Sequence, residues 1–338
     1  MQWNIYGHEW ATEILQKHIQ QDHVRHAYLF TGPPGIGRRT LAVRFAQAIN
    51  CTQPPEPGLP CGTCRICKHI EKMQQADLTI TQKLEDASLI KVEQIRELQR
   101  SLSLAPYEAR YRIAMLLNFQ DAKDSPQNAL LKTLEEAPAK VILLLTADSA
   151  ENLLPTIVSR CEILRLRPMP VEQLSATLQE KWQVEPENAA ILSHLSGGRL
   201  GLAYRYHQQP EQLEQIHAWL QDAFDLLSYG RVERFTYAEQ HTDPKKKGVS
   251  RDSIRLMLQT WLVLWRDLFL AASGSGMPLT YTEFQPNTRS FARQIDLPTA
   301  RRLVSRMEEA LTQLDANLNP RLLVENLLLD WPVLEVVI

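Results

Sequence analysis

Several features are missing from this 338-residue sequence, and each absence narrows its reading. There is no excess of one charge: 37 Lys and Arg stand against 39 Asp and Glu, for a formal net charge of −2. Contact with nucleic acid would therefore have to rest on a local patch or a partner, which argues against a free-standing DNA-binding domain. There is no long apolar run either, since stretches such as Val141–Ala147 are far too short to span a bilayer. The opening "MQWNIYGHEW" lacks a basic region followed by an apolar core, and the expectation is a cytoplasmic protein without a membrane segment. Repeats and low-complexity tracts are also absent. What remains, 44% hydrophobic and 22% charged residues, describes a core-forming chain long enough for two or three domains.

The first half alternates strand and helix signals. Glu9 to Gln21 reads as a helix with Ile14, Leu15, His18 and Ile19 at helical spacing, and "HAYLFTG" (26–32) reads as a short apolar strand ending in glycine. "RTLAVRFAQAIN" follows as a helix with Leu41, Phe45, Ala46 and Ile49 on one face. "ASLIKVEQIRELQRSLSL" reads as a short extended piece and then a helix bearing Val92, Ile95 and Leu98. The apolar runs Tyr111–Leu117 and Lys140–Ala147 read as two further strands, separated by the helix "PQNALLKTLEEAP". Nearly continuous apolar strands alternating with helices predict an α/β domain with a parallel sheet covered on both faces. Composition shifts at "RLRPMP" (165–170), and beyond it helices dominate, with room for a strand only in the last few residues. Leu258, Trp261, Leu262, Trp265, Leu268 and Phe269 form a helical stripe that reads as core or bundle packing rather than a cofactor box.

The stretch "GPPGIGRRT", Gly32 to Thr40, is nearly a phosphate-binding loop. In G-x-x-x-x-G-K-[ST], glycines let backbone amides wrap phosphates, lysine reaches the terminal ones and the next hydroxyl holds magnesium. Here Gly32 and Gly37 are correctly spaced around Gly35, but Arg38 replaces the lysine and Arg39 the hydroxyl. Thr40 does not substitute, because one residue along a helix turns its side chain by about 100°. A chance glycine turn is the alternative, and the strand before the loop and the helix after it weigh against that. The strand at 111–117 should end in acidic residues to position magnesium and water, yet Asn118 and Phe119 stand there and the first carboxylate is Asp121. Two catalytic positions fail together.

Four of five cysteines fall in one window, C-x9-C-x2-C-x2-C over Cys51, Cys61, Cys64 and Cys67, with Cys161 apart. In a reducing compartment four clustered thiolates suggest a closed, structural zinc site, with unligated thiols as the alternative. The surrounding "TQPPEPGLP" offers little apolar content, so the metal would supply its stability, and His69 reads as a surface residue. Lys245–Lys247 reads as a solvated loop, with DNA-backbone contact the alternative. Arg160 in "LLPTIVSRC" would, taken alone, be an ordinary surface side chain.

Taken together and in this order, "HAYLFTGPPGIG", the four-cysteine insert, "NALLKTLEEAP" and "LLPTIVSRC" resemble the clamp-loader branch of the AAA+ ATPases, over about the first 165 residues. The resemblance implies an AAA+ domain over 1–167 with a zinc insert at 51–67, a helical lid over 168–208 and a helical collar over 209–338. It implies that Arg160 acts in trans on the ATP of a neighbouring motor subunit. It also implies motor (tau/gamma) and delta subunits as partners, with the sliding clamp and primer-template DNA reached through the complex. Thr146 matches the polar residue that senses the terminal phosphate, whereas for the family's lid arginine "SGGRLGLAYR" offers Arg199 and Arg205, neither of which aligns cleanly with it. Motor subunits carry an intact loop and an acidic strand end, and this chain departs at both. The implied role is a stator without ATPase activity of its own; an active motor using Arg38 and Asp121, or a metal-dependent binding module, are the alternatives. Binding of ATP or ADP at Gly32–Thr40 stays open.

Overall fold

The computed structural model describes residues 3–84, 87, 89–246 and 248–335. Helix α1 (Glu9–Gln20) leads to strand β1 (Ala27–Thr31), and α2 (Arg38–Asn50) follows the glycine loop. Helix α3 (Arg65–Glu71) closes the cysteine segment before β2 (Leu78–Thr81), and α4 (Val92–Leu102) leads to β3 (Arg112–Leu116). Helix α5 (Asp124–Glu135) joins β3 to β4 (Val141–Ala147), and the short α6 (Pro155–Val158) joins β4 to β5 (Glu162–Arg165). The five strands form one parallel sheet in the order β2-β3-β4-β1-β5.

Strand periodicity explains why the central runs are apolar throughout. Side chains of a strand alternate between faces, and here both faces are covered. Tyr28 and Phe30 of β1 join a core with Leu15, Leu41, Phe45 and Ile70 from α1, α2 and α3. Ala27 and Leu29 join the opposite core with Ile95, Leu98, Leu130 and Leu134 from α4 and α5.

Several expectations need correction. β2 ("LTIT") and β5 ("EILR") were not legible as strands: each is a four-residue edge strand with polar positions and a partner on one side only. Ile14 is 37% exposed, and Ala11 with Leu15 makes the buried face of α1. The extended piece before α4 amounts to a single bridge, Ile90 with Ala122. The cysteine segment is better anchored than its prolines suggested, because Ile66 and Ile70 of α3 are buried in the first core and Trp3 Nε1 donates to Gly58 O.

Beyond β5 the chain is helical: α7 (Val171–Trp182), α8 (Pro186–Ser196), α9 (Leu200–Gln208), α10 (Pro210–Ser228), α11 (Arg231–Thr242), α12 (Arg251–Ala272), α13 (Gln285–Ala292), α14 (Leu297–Asp315) and α15 (Pro320–Asp330). No helix among the described residues is long and apolar enough to cross a membrane. By compactness the chain forms two units, residues 1–177 with 198–202, and residues 178–197 with 203–338. The limits between the units fall within α7 and within α9. In the second unit Leu258, Trp261, Trp265 and Leu268 are buried, and Leu262 and Phe269 are half-buried. Trp331 packs edge-on against both Trp261 and Trp265, with centroids 5.1 and 5.3 Å away. Residues 336–338, where a final strand had room, lie outside the described residues.

Candidate functional site

The glycine loop keeps its shape. Gly32, Gly35 and Gly37 have φ of 145°, 81° and 107°, in the left-handed region that favours glycine. Two of them are also hemmed in: a Cβ at Gly32 would lie 2.6 Å from Leu166 O, and one at Gly35 would lie 2.9 Å from Leu202 Cβ. The first turn of α2 follows directly, and the leading N–H groups of a helix have no partner within it, which is the anion-binding arrangement.

Its charged side chains are arranged differently from those of a phosphate site. Arg38 is buried at 8% exposure; Nη1 donates to Asp148 Oδ1 at 2.5 Å and Nη2 to Asn118 Oδ1 at 3.2 Å. Arg39 and Thr40 face solvent on the outer side of the turn. Asn118, two residues past the end of β3, opens the 3-10 turn in a left-handed conformation, and its backbone N–H donates to Thr146 Oγ1 at 2.8 Å. Phe119 is fully buried, and Asp121 lies in the 3-10 turn Phe119–Asp121. Gly32 N donates to the carbonyls of Ala147 and Asp148, so together with the Asn118 bond to Thr146 the ends of β1, β3 and β4 are laced together. Asp148 escaped the sequence reading. Its signal was its place directly after the last strand residue, Ala147, opposite the glycine loop.

Arg160 stands on the turn between α6 and β5, with its side chain 35% exposed. Nη2 donates to Glu135 Oε1 at 2.7 Å, and Nη1 to Thr156 O at 2.8 Å and Ser159 Oγ at 3.3 Å. Glu135, the last residue of α5, also went unremarked in the sequence.

The cysteines converge. Cys51 follows α2, Cys61 and Cys64 lie in the loop, Cys67 is in α3, and their four sulfurs lie within 4.8 Å of one another. A zinc tetrahedron with Zn–S of about 2.3 Å spaces its sulfurs by about 3.8 Å, close to this arrangement. Backbone N–H groups point at three of the sulfurs: Cys61 N to Cys51 Sγ at 3.4 Å, Cys64 N to Cys61 Sγ at 3.2 Å and Cys67 N to Cys64 Sγ at 3.4 Å. Burial opposes ionisation of Cys61, but the Cys64 N–H and the Thr63 hydroxyl prevail and bring it down to about 6. Burial pushes the Cys67 thiol up, so four adjacent thiolates need a cation among them. The donor set fits a metal. His69 is half-buried on α3 and outside the sulfur cluster.

Arg199 and Arg205, the candidates for a lid arginine, separate. Arg199 lies in the first unit, just before α9, whose Leu202 packs on Gly35, whereas Arg205 is exposed in the second unit. Lys245 and Lys246 are exposed in a turn built on Asp243, and Lys247 lies outside the described residues.

Residues 7–170 match the family described as DNA polymerase III, delta subunit. The delta' subunit of Bacillus subtilis DNA polymerase III is 26% identical over 317 residues, which cover 94% of either chain. Along nearly its whole length the chain is thus similar to a delta-prime subunit of DNA polymerase III. The tau subunit of Salmonella typhimurium is 33% identical over 205 residues, 58% of this chain but 31% of its own length, so the chain spans about a third of that relative. A gamma subunit-related protein of Thermotoga maritima shares the fold, with a TM-score of 0.51 at 16% identity over 96% of this chain and 97% of its own.

Proposed function

We propose that this chain, as a delta-prime subunit, is the non-hydrolysing stator of a bacterial clamp loader, lending Arg160 to the ATP of a neighbouring motor subunit while its own loop turns over none. The observation that carries the reading is Arg38. The residue in the lysine position is buried and committed to Asp148 and Asn118, so its charge is answered from within the chain. Arg39 faces outward, and Asn118 and Phe119 supply no carboxylate to hold magnesium or take a proton from water.

Arg160 has the opposite disposition: it is half-exposed, always charged and braced at one edge. Hydrolysis in a neighbour's site develops charge on the transferred phosphate, and a guanidinium brought there in trans stabilises it. The partners are motor subunits of the tau/gamma kind and a delta subunit, and through them the sliding clamp and primed DNA, in the cytoplasm. Cys51, Cys61, Cys64 and Cys67 would hold zinc in a closed structural site, where the metal neutralises the thiolates and ties the loop to α2 and α3.

The test is the loader reconstituted with Arg160→Ala. Single-turnover hydrolysis in the site served by this chain is expected to fall by about 10³-fold or more, the lower end of the range for such arginines. Unchanged hydrolysis would overturn the trans-acting role.

A further inference from the structure

Glu135 is placed with more care than a surface carboxylate needs. It ends α5, where the helix dipole disfavours a negative side chain, so helix stability does not explain it. The helix carrying it is tied down along its length. Gln127 donates to Ala122 O at 2.7 Å and accepts from Leu154 N at 2.8 Å, joining α5 both to the turn after β3 and to the segment that opens α6. Gln99 of α4 donates to Ala129 O and Thr133 Oγ1, and His26 Nε2 lies 2.9 Å from Leu134 O. The carboxylate at the end of this fixed helix meets Arg160 at 2.7 Å.

The other two contacts of the guanidinium come from its own turn, Thr156 O and Ser159 Oγ. A guanidinium has five N–H donors, and three are engaged here among the described residues, leaving two for an incoming anion. A long arginine side chain that is ordered beforehand loses less freedom when it grips a phosphate than one that is free to swing.

We infer that Glu135 is a positioning residue for Arg160, fixing the guanidinium in the direction from which it reaches a phosphate of the neighbouring subunit. The inference rests on the trans-acting reading of Arg160. Glu135 touches no reacting atom, so its loss lowers the rate of the chemical step and leaves nucleotide binding alone.

The experiment is steady-state ATP hydrolysis by the reconstituted loader carrying Glu135→Ala, Glu135→Gln, Arg160→Ala, or Glu135→Ala with Arg160→Ala. Co-assembly and zinc content serve as checks on folding. Glu135→Ala is expected to lower kcat at the served site about 5- to 10-fold with KM for ATP unchanged, as for loss of one charge-assisted contact. Glu135→Gln, which keeps an acceptor oxygen, is expected to lose only about 2-fold. On the Arg160→Ala background Glu135→Ala is expected to add nothing, because residues acting as a unit are non-additive. The inference is overturned if Glu135→Ala leaves kcat unchanged while Arg160→Ala lowers it, or if its effect is the same size without Arg160. Should Arg160→Ala itself leave turnover unchanged, the trans-acting reading fails and the positioning role falls with it.

Discussion

Arg38 turns its charge inward. Its planar fork meets two oxygens at once, one on Asp148 and one on Asn118, which a compact ammonium could not match. Asp77 is a second residue whose burial is fully answered. Its side chain is inaccessible to solvent, accepts from the backbone N–H groups of Tyr107, Glu108 and Ala109, and pairs with Arg112 at 3.1 Å. Burial works against its charge, but the three N–H donors and Arg112 prevail and hold it below the usual carboxylate range. Its folded pKa is therefore depressed, so its stabilisation is present above its unfolded value of about 3.9 and is lost as pH falls through the folded value. Asp77→Ala, which strands Arg112, is expected to cost about 3–5 kcal/mol in urea unfolding at pH 7 and to flatten the pH dependence below about pH 4. An acid limb as steep as that of the unaltered protein would contradict this account.

At the scale of elements, α3 and the cysteine loop would, with the proposed zinc bound, divide their support between metal and core. Ile66 and Ile70 hold α3 against the sheet, whereas the stretch 52–60 is tied through Cys51, Cys61, the bonds of Trp3 to Gly58 and Gln20 to Pro57, and the packing of Leu59. Chelation is therefore expected to raise amide exchange across 52–60 and at Cys61 while β1, β3 and β4 keep their protection. Collapse of the sheet on chelation would show that the metal holds more than the loop. In the second unit Arg234 does comparable work without a metal. Buried at 3% exposure, it donates to the carbonyls of Leu226, Leu328, Trp331 and Pro332 and so caps the ends of α10 and α15. The sequence showed α15 only as part of a helical region and did not single out Arg234, because a carbonyl-capping arginine has no local pattern.

For the whole molecule the expected outcome is silence as an ATPase. The isolated chain is expected to release no phosphate from ATP above background, and Arg38→Lys alone is expected not to restore turnover, since Arg39, Asn118 and Phe119 still deny magnesium and the attacking water their ligands. Robust turnover by the isolated chain would make it a motor after all. Much of this was legible beforehand. Apolar runs alternating with helices announced the parallel sheet, glycine spacing announced the loop and cysteine spacing announced the sulfur cluster, because each is a short-range property of the backbone. Edge strands β2 and β5 were not legible, since half-exposed four-residue strands carry too little pattern. The pairings on which the proposed function rests were out of reach as well. Asp148 lies 110 positions from Arg38 and Glu135 lies 25 from Arg160, and only the sheet order and the packing of α5 bring them together. The sequence by itself determined that Arg38, Arg39, Asn118 and Phe119 stand where a phosphate-binding loop and an acidic strand end would have lysine, a hydroxyl and carboxylates. The tertiary structure decided where the remaining charges went, because a buried guanidinium takes whatever acceptors the fold places within reach.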